Sequence, residues 1–154
     1  MAKKVNPNNL EFKNKKASFE FAYIETFTAG IVLRGTEIKS IRNSEITLNE
    51  AYCLILKDEL WVRGMHIAQY KDGSYNNHIE KSDRKLLLNR REILKIKNHL
   101  KDKGLTIVAT KLFLTDKGFA KLNIAVAKGK KLYDKREDLK QKDNQREIDR
   151  VFRK

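Results

Sequence analysis

The chain holds one cysteine, Cys53, and one proline, Pro7, in 154 residues. A lone thiol excludes an intramolecular disulfide and a multi-cysteine metal site, which fits a reducing cytoplasm. No run of 18 apolar residues occurs, so no transmembrane helix is expected. The first residues, MAKKVNPNN, have no apolar segment behind them and do not read as a secretory signal. The seven glycines form neither a GxxxxGK[ST] loop nor a GxGxxG turn. His66, His78 and His99 lie far apart, with no HExxH and no Cys/His cluster, so a zinc site is unsupported and each reads as a surface or structural histidine. The carboxylate pairs Asp58-Glu59 and Glu137-Asp138 fall in turn and tail contexts, which does not suit general acid–base work. Neither an enzyme nor a cofactor has support. Acidic residues are also short: 20 Asp and Glu against 34 Lys and Arg leave a formal charge of +14.

Charge of that size points to a polyanionic partner, nucleic acid or an anionic membrane surface. It is concentrated toward the end. Lys128 to Lys154 carries 11 basic and 6 acidic residues, a net of +5. After Tyr133 the apolar residues are Leu139, Ile148, Val151 and Phe152, too few to offset the entropy of ordering about twenty positions, so the segment is expected to be mobile when free. It is rich in helix formers. Projected as a helix, Lys131, Lys135, Lys142, Arg146, Arg150 and Arg153 share an arc of roughly 100°, with Asp138 and Asp149 at its edge. Ile148, Val151 and Phe152 cluster on another side, too small a face to anchor the chain on a membrane. A partner-free solvated tail is the competing reading.

Hydrophobic content of 40% can supply one core. Residues 1–17 read as a loose basic arm. Phe19, Phe21, Tyr23 and Phe27 alternate with polar residues and predict a strand from Phe19, with a bend or bulge near Gly30. Ile38 and Ile41 suit a short helix with Thr36 as N-cap. Residues 52–56 and 60–62 predict a β-hairpin around Lys57-Asp58-Glu59. A third extended run, 65–70, precedes a polar loop, 71–83. Residues 86–88 read as extended. Asn89 to Glu92 has the capping-box form, Leu88 and Ile93 the spacing of a hydrophobic staple, and the helix is predicted over 90–103, ended by Gly104. Residues 105–115 and 119–127 predict two strands joined at Asp116-Lys117-Gly118. Six or seven short strands with few helices fit an OB-like antiparallel β-barrel. Cys53, in mid-strand, reads as a buried, inert thiol.

Basic clusters recur at 13–16, 39–42, 84–85, 90–91 and 128–131, where strands meet helices or loops. Lysine and arginine there would neutralise phosphates, with strong salt dependence. Phe19, Tyr75 and Tyr133, beside them, are candidates to stack on unpaired bases.

Five segments carry a further signal: Asn14–Ala17 (NKKA), Ala29–Leu33 (AGIVL), Gly35–Arg42 (GTEIKSIR), Arg84–Glu92 (RKLLLNRRE), and Val126–Lys131 (VAKGKK) followed by Asp134-Lys135-Arg136. In this order and spacing they resemble the small protein B, or SsrA-binding protein, family, over roughly residues 14–154. The resemblance implies an OB-like antiparallel β-barrel with about three helices and a C-terminal tail that is disordered when free and helical when bound. It implies an adaptor for trans-translation that binds the tRNA-like domain of transfer-messenger RNA and delivers it to stalled ribosomes. The body would stand in for an anticodon stem at the small-subunit decoding centre, and the tail would probe the empty messenger channel. A cytoplasmic monomer is implied, with a flexible basic arm at 1–13, an RNA-binding body at 14–133 and a basic tail at 134–154.

Carried over by position, the RNA-binding residues are Lys15, Lys16, Phe19, Glu37, Lys39, Ser40 and Arg42, with Arg84, Lys85, Leu87 and Asn89 across from them, continued by Lys128, Lys130 and Lys131. The ribosome-probing tail begins with Tyr133, Asp134, Lys135 and Arg136. It continues through Lys142 and Arg146 to Arg150, Val151, Phe152 and Arg153. The family often has His where this chain has Phe19 and Tyr133, and Glu where it has Thr28. The rings are kept and can stack, but the imidazole proton and a carboxylate charge are lost. A general nucleic-acid-binding protein on the same barrel would explain the charge but not the AKGKK-to-tail arrangement. A nuclease would need a metal or acid–base cluster that the sequence does not supply.

Overall fold

The computed structural model describes residues 10–73, 77–130 and 132–152. Among these residues the structure is mainly β, with four helices. In chain order the elements are β1 (Glu11–Lys13), α1 (Lys15–Glu20), β2 (Phe21–Ile31), α2 (Gly35–Arg42), β3 (Ile46–Thr47), β4 (Tyr52–Leu56), β5 (Glu59–Arg63), β6 (His66–Ile67), β7 (Arg84–Leu87), α3 (Arg90–Leu100), β8 (Leu105–Leu114), β9 (Ala120–Gly129) and α4 (Leu132–Phe152). Strand order in the large sheet is β1-β8-β4-β5-β7-β2-β9, and β8 also pairs with β9, so the pairings close into a ring. All described pairings are antiparallel. β3 and β6 form a separate two-stranded ribbon.

Alternation explains the core. Phe27, Ala29 and Ile31 of β2, Leu60 and Val62 of β5, and Leu122, Ile124 and Val126 of β9 point inward, joined by Ile41 of α2 and Ile96 of α3. Burying Ile96 completely stabilises the domain by about 1.5–3 kcal/mol. A smaller cluster lies on the other face of the sheet, where Ala17 of α1 packs with Val108, Ala125 and Ala127. The small residues let α1 approach that face closely.

The hairpin is as predicted. Leu54 faces Trp61, and Lys57 and Asp58 both take positive φ (50° and 63°), the turn that follows the strands' twist. Predicted strands 105–115 and 119–127 are β8 and β9, turned at Gly118 (φ 84°).

Several local expectations are corrected. Phe19 lies in α1, not in the following strand. Asn14 caps that helix, its Oδ1 accepting from the Ala17 N–H at 3.0 Å. The bulge in β2 falls between Tyr23 and Glu25, not at Gly30. Residues 11–13, read as arm, pair with β8. The cap of α2 is Arg34, whose N–H donates to Glu37 Oε1 at 3.2 Å, while the Thr36 hydroxyl turns to His78 Nδ1 at 2.9 Å. Only His66–Ile67 of the run 65–70 is strand. α3 ends at Leu100 rather than 103, and the Asn89 side chain makes no capping bond, so the capping box is absent. The positive-φ glycines among the described residues are Gly64 and Gly118; Gly104 is not one of them.

Candidate nucleic-acid interface

α2 was expected to present Glu37, Lys39, Ser40 and Arg42 to RNA, and β7 to present Arg84. The structure divides this set. Glu37 and Ser40 are buried, as is Arg84. The Arg84 guanidinium donates through Nε to Glu37 Oε2, through Nη1 to the carbonyls of Met65 (2.8 Å) and Ser82 (3.1 Å), and through Nη2 to those of Ile79 (3.4 Å) and Glu80 (3.1 Å). All five of its N–H donors are thereby committed. Arg84 therefore organises the 65–84 segment against α2 and is not open to a phosphate. Lys39 and Arg42 are exposed, with the Lys39 ammonium 5.3 Å from the Tyr70 ring centroid.

β7 carries the neighbouring contacts outward. Leu87 is 54% exposed and lies opposite Gly30, where an added Cβ would stand 3.4 Å from the Leu87 Cβ. Lys85 is half-buried and donates to Glu59 at 3.1 Å. Asn89 is exposed, and without a capping bond its amide is available to a ligand. Arg90 and Arg91 of α3 are exposed beside it.

The remaining candidates gather elsewhere. Lys15 and Lys16 are exposed on α1, and Phe19 is half-buried there. Lys128 is exposed; Lys130 donates from Nζ to the Ser18 carbonyl at 3.3 Å and from its backbone to the Glu20 carbonyl at 2.8 Å. Register explains the separation. Phe21 faces Gly129 at one end of β2, and Gly30 faces Leu87 at the other. Nine residues of strand put roughly 30 Å between the two groups. The single continuous patch expected from sequence is thus two.

α4 is helical through Leu132–Phe152, a span that includes Tyr133, Asp134, Lys135, Val151 and Phe152. Arg136, Lys142, Arg146 and Arg150 are exposed, and the last three recur every fourth residue along one face. The helix has six basic and six acidic residues. The tail's net charge therefore comes from residues flanking α4, and within it only the arrangement is cationic. The Lys142 ammonium lies 5.9 Å from the Phe19 ring centroid, bringing α4 to α1. Lys131, Arg153 and Tyr75 lie outside the described residues.

Sequence reading named Lys13 and Thr28 but missed Asn123 and Lys111, which join them in a row of outward side chains between the two groups. Thr28 faces Asn123, Asn123 faces Lys111, and Lys111 faces Lys13, a row across β2, β9, β8 and β1. The Thr28 hydroxyl donates to Asn123 Oδ1 at 2.9 Å, a neutral contact. Two residues along, Gly30 faces Lys121 and Lys121 faces Phe113. The signal was present, since these positions alternate with the apolar core residues of the same strands.

Burial pushes the Tyr23 phenol up, which keeps it a donor. Burial likewise raises the Cys53 thiol and suppresses the thiolate. Each histidine has its own partner: His66 meets Glu80 (2.9 Å), His78 meets the Ile67 carbonyl (2.9 Å), and His99 meets Glu25 (2.6 Å). No helix among the described residues is long and apolar enough to cross a membrane.

Comparison with known proteins follows the same outline. The family described as SmpB protein matches residues 11–154. An SsrA-binding protein of Phocaeicola vulgatus is 54% identical over 150 residues, covering 97% of this chain and 100% of that protein. One from Geobacillus thermodenitrificans is 50% identical, covering 92% and 90%. A solved chain described under "tmRNA-SmpB: a journey to the center of the bacterial ribosome" superposes with a TM-score of 0.67 at 35% identity, covering 81% of this chain and 86% of that one.

Proposed function

The chain belongs to the SmpB protein family, and on that premise we propose that it is a non-enzymatic, RNA-binding adaptor of trans-translation and ribosome rescue. It binds the tRNA-like domain of transfer-messenger RNA and carries it to stalled ribosomes. The observation that carries this reading is the near full-length match to SsrA-binding proteins. The ring of strands serves as an OB-like barrel, and the protein acts as a cytoplasmic monomer.

Lys39, Arg42, Leu87 and Asn89 supply one contact zone. Lysine and arginine neutralise phosphates, the asparagine amide bonds a base edge or ribose, and Leu87 gives an apolar surface to an unstacked base. Glu37 and Arg84 act from beneath, tying α2 to β7 through their buried ion pair. Lys15, Lys16, Lys128 and Lys130 serve a second zone, with Lys131 continuing it.

Residues 134–154 are the probing tail. The side chains described along α4 are exposed, so its helicity rests on propensity more than on burial. Such a helix opens and re-forms readily, which suits a segment that becomes fully ordered in the messenger channel. Lys142, Arg146 and Arg150 face ribosomal RNA there.

A binding titration at several salt concentrations tests the reading. The full chain should prefer a tRNA-like stem carrying its loops over a plain hairpin of equal length. Equal affinity for both would overturn the specific claim. Truncation at Tyr133 should spare that binding and abolish rescue; a general nucleic-acid binder would instead lose affinity.

A further inference from the structure

The outer row across β2, β9, β8 and β1 ends in a cleft of about 300 Å³ at the start of α1. Its walls include Lys13, Lys15 and Lys111, with Tyr23, Ser18 and Asn123 between them. Among the described residues, three cations line it and no carboxylate does. The nearest acid in contact is Glu11, which accepts from Lys111 Nζ at 3.3 Å. That lysine also sits 5.3 Å from the Phe113 ring centroid, so its ammonium is held from two sides rather than free to swing. Asn123 spends its Oδ1 on Thr28, which leaves the amide NH2 as its donor. The cleft floor is rigid. Asn14 is buried and donates to the Leu48 and Ala109 carbonyls, both at 2.8 Å, while Thr110 donates to the Asn123 carbonyl at 3.1 Å.

We propose that this cleft is a phosphate-binding subsite, in which Lys13, Lys15 and Lys111 hold a backbone phosphate of the RNA bound on the adjoining faces. The proposal rests on the RNA-binding reading above and extends it from Lys15 to Lys13 and Lys111, which that reading does not assign. The chemistry selects a phosphodiester. Three ammonium groups supply point charges suited to a rotating oxyanion, and the neutral donors beside them are those that contact phosphate and sugar without reading sequence. The position also bridges the two separated zones. Lys13 and Lys111 stand on the sheet face that runs from α1 toward Gly30 and Leu87, so one strand of RNA can follow the row between them.

The test uses the full chain and two RNA probes, a tRNA-like stem with loops and a plain hairpin. K13A/K111A should weaken binding to both, because a phosphate contact carries no sequence information. Its slope of log K against log salt should fall by about 0.7–0.9 for each phosphate that is no longer neutralised. K13R/K111R should restore the slope. E11Q, which releases Lys111 from its carboxylate, should tighten binding and steepen the slope, an effect no purely structural role predicts. Wild-type slopes in K13A/K111A overturn the proposal, as does weaker binding with the slope unchanged. In that event L87A and N89A decide the wider reading: reduced preference for the tRNA-like stem leaves it standing, whereas wild-type behaviour in all variants removes both.

Discussion

Arg84 and Glu37 stand 47 positions apart in sequence and meet as a buried ion pair, with side chains 2% and 5% exposed. Each comes from a segment whose local pattern points outward: a short polar helix and the basic start of a strand. The pair ties α2 to β7, and through the Met65, Ile79, Glu80 and Ser82 carbonyls it ties both to the 65–84 segment. The exposed Lys39, Arg42, Leu87 and Asn89 lie on or beside elements joined by a pair that is itself buried.

Breaking this pair from one side leaves a buried charge without a partner. Arg84→Leu and Glu37→Gln should each destabilise the fold, Arg84→Leu by about 3–5 kcal/mol, read from the midpoint of urea unfolding. RNA affinity per folded molecule should change little. A large affinity loss in a variant that remains fully folded would show that Arg84 contacts RNA directly.

Asn14 is a second hidden organiser. Its Oδ1 caps α1 and its Nδ2 joins the Leu48 and Ala109 carbonyls. Asn14→Ala should cost about 2–4 kcal/mol, the sum of a lost cap and two lost hydrogen bonds to backbone carbonyls, of which that of Leu48 keeps the Ala51 N–H. Asn14→Asp keeps the capping oxygen but not the donors, so it should also destabilise. If Asp matched Asn in thermal unfolding, the two Nδ2 hydrogen bonds would carry no weight.

Two glycines should respond in opposite senses. Gly64 has φ of +80°, and a Cβ there would stand 2.5 Å from the Glu50 carbonyl oxygen. Gly64→Ala should destabilise by more than about 1 kcal/mol. Gly35, in α2 with nothing within 4 Å of an added Cβ, should tolerate Ala and gain up to about 1 kcal/mol. Denaturant midpoints of the two variants, taken side by side, check both signs.

Acid should weaken the fold through Asp83 and Asp58. A hydrogen bond from Arg63 holds the Asp83 carboxyl below its usual range, and one from Lys97 does the same for Asp58. A carboxyl with a depressed folded pKa contributes stability above its unfolded value, near 4, and loses it as pH falls through the folded value. Both groups are solvent-facing, so the effect is small. Asp83→Asn should flatten the acid limb of a melting-temperature profile and leave its alkaline side unchanged.

The tail prediction follows from arrangement rather than sum. Charge reversal of Arg146 and Arg150 removes two of the three residues in the exposed Lys142 row. It should spare binding to free RNA and impair tagging on stalled ribosomes. Equal loss in both assays would show that α4 belongs to the RNA-binding body.

What sequence by itself determined was local. The β4–β5 hairpin, the β8–β9 pair and the inward faces of β2 and β9 follow from two-residue alternation and turn residues, which act over a few positions. The charge excess, the lone buried thiol and the family motifs were equally legible. Tertiary structure decided what local patterns leave degenerate. Phe19 continues the alternation of β2 yet belongs to α1, because Asn14 caps a helix while bonded to carbonyls 34 and 95 residues away. Thr36 and Asn89 look like caps, but His78 claims the first and the second makes no capping bond. Glu37, Ser40 and Arg84 read as surface because a charged or hydroxyl side chain turns inward only where distant partners or packed neighbours receive it. The Lys13–Lys111 cleft likewise joins residues nearly a hundred positions apart. Its existence depends on the register of β1 on β8, which no local pattern specifies.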